Sequence, residues 1–380
     1  MTEPRRDFRY VLAIFLISRV GLEIVGILSG FYFPSAQALF KGRDLQYHEK
    51  QNVALEMWAR WDSEWWILIA EKGYGNYEVF KDYGGGRYLP QETAKFFPAY
   101  PMAVWVFNIF TNNSVFSGIL ASNLCAIIFL YYLFKLTEIL FNSDRAYNAA
   151  ILYIAFPTSF FLSAVYSESM FLAALTAAFY YMERNKLVPA MIATAIAVLT
   201  RSTAVIAIPP LIWLAWRCFP HKRIWALLAI TFAAALPLAG YLLFIQAKFG
   251  SIVWIPESIR YWRGDLKYPL YAIVRFAESS IRIHGQHNSI IDFCFAIANL
   301  CILVFSWRRV PRPYFLYSLL AVLFPLMSTL FSFSRLCLAN VPFFMLVSFF
   351  AGRLNRAIQI FCAILLGFFM AAFANWFWVA

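Results

Sequence analysis

The stretch Tyr10–Phe33, YVLAIFLISRVGLEIVGILSGFYF, decides the fold class. Only Arg19 and Glu23 interrupt it, and as a helix it is long enough to cross the roughly 30 Å of hydrocarbon in a bilayer. It is too long for the apolar region of a signal peptide and has no small-residue cleavage site, so it is expected to remain as the first span. Arg19 and Glu23 lie one helical turn apart and are expected to neutralise each other there. Runs of the same character recur along the rest of the chain. They do not alternate, as the strands of a membrane barrel would.

The composition agrees. Hydrophobic residues make up 62% of the 380 residues and charged ones only 14%, where a soluble protein carries about 25% charge. The net charge of +12 does not point to nucleic acid, because the Lys and Arg sit in short loops between apolar runs, as the positive-inside rule requires. The six cysteines (Cys125, Cys218, Cys294, Cys301, Cys337, Cys362) lie in or beside apolar runs without a C-x-x-C pair and read as packing residues.

The basic tail (Arg5, Arg6, Arg9) is expected inside, so span 1 runs outward to a long polar stretch, Pro34 to Lys95. Connections in bundles usually take about 2–8 residues, and a longer one is usually functional. Within it Met57–Lys72 reads as an amphipathic interfacial helix, with Trp58, Trp61, Trp65 and Leu68 on one stripe and Arg60, Glu64 and Glu71 on another. Phe96–Phe110 is apolar enough for a short span, but it begins with Pro98 and Pro101 and has only about 15 residues, under the usual length, and the charge of the following loops decides against spanning. Placing it at the outer surface leaves spans at 115–140, 147–165, 169–183, 187–201, 203–217, 223–247, 290–307, 313–333, 336–352 and 356–378. The basic residues Lys135, Arg145, Arg184, Lys186, Arg217, Lys222, Arg223, Arg308, Arg309, Arg312, Arg353 and Arg356 then collect inside. The expectation is an all-α polytopic protein of about 11 spans, in two segments: 1–250, including the outer loop 34–95, and 251–380, opening with a second outer loop.

That topology brings four ionisable residues to the outer face: Asp62, Glu168, Arg201 and Arg335. Charges at membrane depth are costly and usually line a polar path, and two carboxylates with two guanidiniums suit a phosphate beside a general base. Soluble catalytic signatures are missing: there is no G-x-G-x-x-G, P-loop, H-E-x-x-H or G-x-S-x-G. Gly84-Gly85-Gly86 reads as a loop tip, and the pair His284 and His287 reads as part of a solvated loop.

Four motifs in order carry a resemblance. Arg60-Trp61-Asp62-Ser63, continuing to Ile69-Ala70-Glu71-Lys72-Gly73-Tyr74; Phe96-Phe97-Pro98-Ala99-Tyr100-Pro101; Phe156-Pro157-Thr158-Ser159-Phe160-Phe161, leading to Ala164-Val165-Tyr166-Ser167-Glu168-Ser169; and Thr200-Arg201-Ser202 together resemble the PIG-V family of mannosyltransferases. The likeness covers about residues 58–205, and beyond about residue 250 it is only a pattern of spans. It implies the GT-C superfamily: polytopic enzymes with a catalytic carboxylate in the first outer loop, a proline-containing juxtamembrane helix before span 2, and a lipid-phosphate-linked sugar as donor.

The resemblance therefore implies a glycosyltransferase that moves a sugar, mannose by the family's example, from a polyprenyl-phosphate carrier to a glycan or glycolipid hydroxyl outside the membrane. Asp62 is expected to be the general base. Arg201, Arg335 and Arg60 are candidates for the donor phosphate, and Glu168, Tyr74 and Tyr166 are further substrate-binding candidates. No metal site is assigned, and a divalent cation (Mg or Mn) shared by Asp62 and Glu168 stays open. Partners are the donor, the acceptor and the lipid bilayer, with no nucleic acid. The location is the inner (plasma) membrane, or the endoplasmic reticulum in a eukaryote. The alternatives are a GT-C transferase for glucose or a pentose, and a transporter or lipid flippase, for which Pro209-Pro210 would be a broken helix.

Overall fold

A computed structural model describes residues 8–36, 52–76, 80, 81, 87–283, 285, 287–350 and 352–379. Arg5, Arg6, Gly84-Gly85-Gly86, His284 and part of the first loop lie outside these residues. The chain is an all-α polytopic membrane protein, and the described strands are one two-residue ladder, β1 (Phe80–Lys81) with β2 (Arg87–Tyr88).

Among the described residues, four helices are long and apolar enough to cross a bilayer: α1 (Phe8–Tyr32), α5 (Ser114–Leu140), α10 (Arg223–Phe249) and, over Arg353–Ala374, α17 (Gly352–Ala374). They display apolar side chains outward, such as Ile17, Phe31, Phe232 and Phe368, because lipid tails solvate them as well as a core would. The other apolar helices are shorter: α4 (Ala99–Thr111), α6 (Ser143–Ala155), α7 (Glu168–Glu183), α8 (Leu187–Thr200), α9 (Ile208–Cys218), α13 (Ile290–Ser306) and α14 (Arg312–Leu326).

Several expected spans end early, for identifiable reasons. The run 147–165 is not one helix. Pro157 disfavours helical geometry at the residue before it, Phe156 is accordingly extended (φ −60, ψ 139), and α6 stops at Ala155, followed by a 3₁₀ turn at Ser159–Leu162. The run 313–333 stops at Leu326, one residue after Pro325. The run 336–352 is likewise not one helix: after the short α15 (Phe333–Leu336) come a 3₁₀ turn at Cys337–Ala339 and α16 (Val341–Val347), which has Pro342 in its first turn. Non-helical backbone at membrane depth is tolerated only inside protein or along a cavity. These stretches meet that condition: Thr158, Ser159, Ser163, Ser167 and Ser334 are all at most 1% exposed.

Arg19 helps to satisfy the freed carbonyls. It donates to Ser159 O (3.0 Å) and Ile154 O (3.5 Å), and to Ser163 Oγ (3.4 Å). Glu23 instead accepts from Trp58 Nε1 at 2.6 Å. The expected Arg19–Glu23 pairing is therefore replaced by three bonds from Arg19 to the segment between α6 and α7 and one from Trp58 of the first loop to Glu23.

The first loop also differs from one continuous amphipathic helix. It holds α2 (Val53–Glu56) and α3 (Ser63–Lys72), broken where Trp61 takes a left-handed backbone (φ 58). Such a conformation costs a non-glycine residue on the order of 1 kcal/mol or more and persists only when its surroundings fix it. α4 has 13 residues, about 20 Å of helix, short of the hydrocarbon thickness, and it exposes Met102, Trp105 and Phe110. The second long loop folds into α11 (Trp254–Arg263) and α12 (Tyr271–Ala277). α11 packs on the 3₁₀ turn Pro90–Lys95 of the first loop, through a cluster containing Ile255, Ala94, Phe97 and Tyr241.

Candidate active site

The polar centre stands where the short helices end. Glu168 opens α7, Arg201 follows the last residue of α8 in extended geometry, and Arg335 sits in α15 between two broken spans. Asp62 occupies the N-cap position of α3, directly after the left-handed Trp61. Breaking the helices is what lets these charges meet.

Arg335 is the link. Its Nη1 donates to Asp62 Oδ2 at 2.9 Å, and its Nε donates to Glu168 Oε1 at 2.5 Å. Arg201 Nη1 reaches the same Glu168 oxygen at 2.6 Å and Ser167 Oγ at 3.2 Å. The guanidinium of Arg335 also lies over the rings of Tyr166 (4.6 Å) and Phe161 (5.0 Å). Exposure is graded: the Glu168 and Arg335 side chains are 6% and 8% exposed, Arg201 is 19%, and Asp62 is 39%. Asp62 is thus the carboxylate that a reactant can approach, while Glu168 is sealed behind two guanidiniums. One oxygen of Glu168, Oε2, is buried and makes no hydrogen bond.

Tyr166 shapes the turn beneath Asp62. Its hydroxyl donates to Arg60 O at 2.9 Å and accepts from the Asp62 N–H at 3.2 Å, and the Val165 N–H donates to Trp58 O at 3.0 Å. Asp292 braces the far side, accepting the Ser334 N–H at 2.8 Å just before Arg335.

A narrow cleft opens beside the ion cluster. Glu168, Arg201 and Arg335 line it together with apolar side chains such as Phe171, Ile206 and Phe324. A charged end against an apolar wall suits an amphiphile with an anionic head.

Of the residues expected from sequence, Asp62, Glu168, Arg201 and Arg335 form one connected network and Tyr166 buttresses it. The other two have contacts elsewhere. Arg60 donates from Nε to Ala374 O at 3.2 Å and lies over Trp376 at 4.7 Å; burial pushes its guanidinium down to about 10, opposed by Glu56 and Glu64. Tyr74 donates to Phe96 O at 2.5 Å and packs on Tyr241 and Phe244, holding the loop. Among the described residues no group of three or more His, Cys, Asp or Glu could hold a metal ion. Between Asp62 and Glu168, where a shared cation would sit, stands the guanidinium of Arg335, so the donor set does not fit that cation.

Two cations had not been singled out from the sequence. Lys95 lies over the Trp65 and Phe96 rings (5.8 and 5.3 Å). Burial pushes its ammonium down to about 8, against the attraction of Asp62 and Glu92. Its place directly before Phe96-Phe97-Pro98 was the available signal. Arg263 ends α11, and as one of several basic residues in a long loop it carried no signal of its own.

A family model described as dolichyl-phosphate-mannose-protein mannosyltransferase matches residues 98–241. The match runs from the start of α4 into α10 and contains Glu168 and Arg201, while Asp62 and Arg335 lie outside it. It supports a membrane glycosyltransferase of the GT-C type that uses a polyprenyl-phosphate-linked sugar. No curated protein and no solved structure matches the chain.

Proposed function

We propose that this protein transfers mannose from a polyprenyl-phosphate carrier to an acceptor hydroxyl on the outer face of the membrane, with inversion, and that Asp62 is the general base. The reading rests on one observation above the rest: a half-exposed carboxylate, Asp62, is held by Arg335, a guanidinium that also lines an apolar cleft.

Asp62 accepts the proton of the acceptor hydroxyl while that oxygen forms a bond to the anomeric carbon. The bond from that carbon to the phosphate oxygen breaks, its electron pair leaves with polyprenyl phosphate, and a single displacement inverts the centre. Arg201 and Arg335 balance the charge gathering on the leaving phosphate, since a planar guanidinium can meet two oxygens at once. Arg335 changes partners in this scheme: it neutralises Asp62 at rest and turns toward phosphate when the donor enters, freeing the base. Glu168 holds both guanidiniums at the site. The apolar cleft takes the first isoprenoid units.

The test is a panel of polyprenyl-phosphate sugars supplied to purified protein in right-side-out vesicles, with free polyprenyl phosphate as the readout. Release should be fastest from the mannosyl donor and should require acceptor on the outer side. Release from a glucosyl or pentosyl donor alone would reassign the sugar. Movement of lipid across the bilayer without release would make the protein a transporter.

A further inference from the structure

Among the buried polar atoms that make no hydrogen bond are two of opposite kind, the acceptor Glu168 Oε2 and the donor Arg263 Nη2. The first belongs to the site already described. The second belongs to a residue from the other outer loop, which the scheme above does not use.

Arg263 closes α11, which Gly264 (φ 71) terminates by donating its N–H to Arg260 O at 2.7 Å. One arm of its guanidinium, Nη1, donates to Phe331 O at 3.2 Å. Phe331 lies in the turn that carries Arg335, and Lys267 N pins the start of that turn by donating to Met327 O at 2.7 Å. The second loop is thus laid onto the segment that delivers Arg335 to the two carboxylates. Burial pushes the Arg263 guanidinium down to about 10, and while Asp292 attracts it, Arg335 and Arg201 both repel it.

Among the described residues no carboxylate forms an ion pair with this third guanidinium, and Asp292 attracts it only at longer range. Asp62 and Glu168 are bonded to Arg335 and Arg201, and Asp292 takes the Ser334 N–H. A buried charge with an empty donor, held near two like charges, is unfavourable until an anion arrives. A multi-oxygen anion relieves all three guanidiniums together.

We propose that Arg263 binds the phosphate of the prenyl-phosphate donor and of the product, as a third guanidinium beside Arg201 and Arg335. This rests on the glycosyltransferase reading of the site. The product is a phosphate monoester and carries more negative charge than the donor diester, so Arg263 contributes more to holding the product.

Farnesyl monophosphate, farnesol and inorganic phosphate are the probes, with binding measured on the full-length protein in detergent. Wild-type protein should bind farnesyl monophosphate and neither of the others at the same concentration. Arg263→Gln should weaken that binding by about 10- to 100-fold, the usual worth of a buried charge-assisted hydrogen bond. Arg263→Lys keeps the charge and one donor for Phe331 O but loses the second arm, so it should fall between the two while melting close to wild type. Farnesyl monophosphate bound as tightly by Arg263→Lys and Arg263→Gln as by wild type would overturn the proposal, leaving Arg263 a staple for the turn. If Arg263→Gln does not fold, wild-type affinity in Arg263→Lys alone would do the same. Equal dependence of inorganic phosphate binding on Arg263 would mark a general anion site and overturn the lipid assignment. Wild-type protein that binds none of the probes would remove the glycosyltransferase reading, and the inference with it.

Discussion

Helix α7 carries a glutamate at each end, and the two are treated differently. Glu183, at the C-terminal end, accepts on Oε1 from Tyr314 Oη at 2.9 Å and from Arg217 Nη2. Glu168, at the N-terminal end, meets Arg335 and Arg201 and leaves Oε2 unbonded. The helix dipole favours an anion at the N-terminus and opposes one at the C-terminus, so Glu183 needs its partners merely to be tolerated. Glu168 starts in the favourable position, yet it gathers two guanidiniums and borders a cleft. That surplus of charge is what a site shows and a structural pair does not. The environments differ as well: Arg217 is 41% exposed, whereas Arg335 is 8% exposed.

The widest contrast should come from removing the arginine at each end. Arg335→Gln leaves Glu168 without one partner and Asp62 unheld, and breaking a buried pair costs about 3–5 kcal/mol. Turnover should be lost, and the melting temperature should drop by several degrees. Arg217→Gln removes a partly exposed partner worth about 1 kcal/mol or less, so turnover should stay within about twofold. Thermal melts and product-release assays on both variants check this. Equal losses at the two ends would erase the distinction.

A smaller effect should come from pH. Burial pushes the Lys95 ammonium down to about 8, against the attraction of Asp62 and Glu92, so raising the pH through that value should remove a cation close to Asp62. An anionic donor should then bind more weakly, by roughly fivefold for about 1 kcal/mol at a partly screened site. The donor KM should rise across pH 8 in wild type and stay flat in Lys95→Arg, which keeps its charge. A limb unchanged in Lys95→Arg would take Lys95 out of donor binding.

The sequence made the membrane fold legible because lipid imposes one strong rule, long apolar runs, and α1, α5, α10 and α17 obey it openly. It misled where proline intervened. Pro157 ended the expected span 147–165, and Pro325 and Pro342 broke the two near Arg335, because a few apolar residues on either side of a proline look like one continuous run. The polar residues Asp62, Glu168, Arg201 and Arg335 stood out because charge is rare in such a chain. Their connections could not be read, since the bond from Arg335 to Asp62 joins residues from opposite ends of the sequence. The left-handed Trp61 was hidden for another reason: nothing in the residue type asks for that conformation, and the surrounding fold imposes it. Arg263 was hidden by company, as one basic residue among several in a long loop.

Asp62 as the base is the central claim, and its most direct test separates donor binding from turnover in Asp62→Asn, with Glu64→Gln beside it as a control. The asparagine keeps the shape of the side chain but cannot take a proton at neutral pH. Donor affinity should persist within a few-fold while turnover falls by about 10²–10⁴-fold, the usual contribution of a general base, and Glu64→Gln should remain active. Near wild-type turnover in Asp62→Asn would contradict the account.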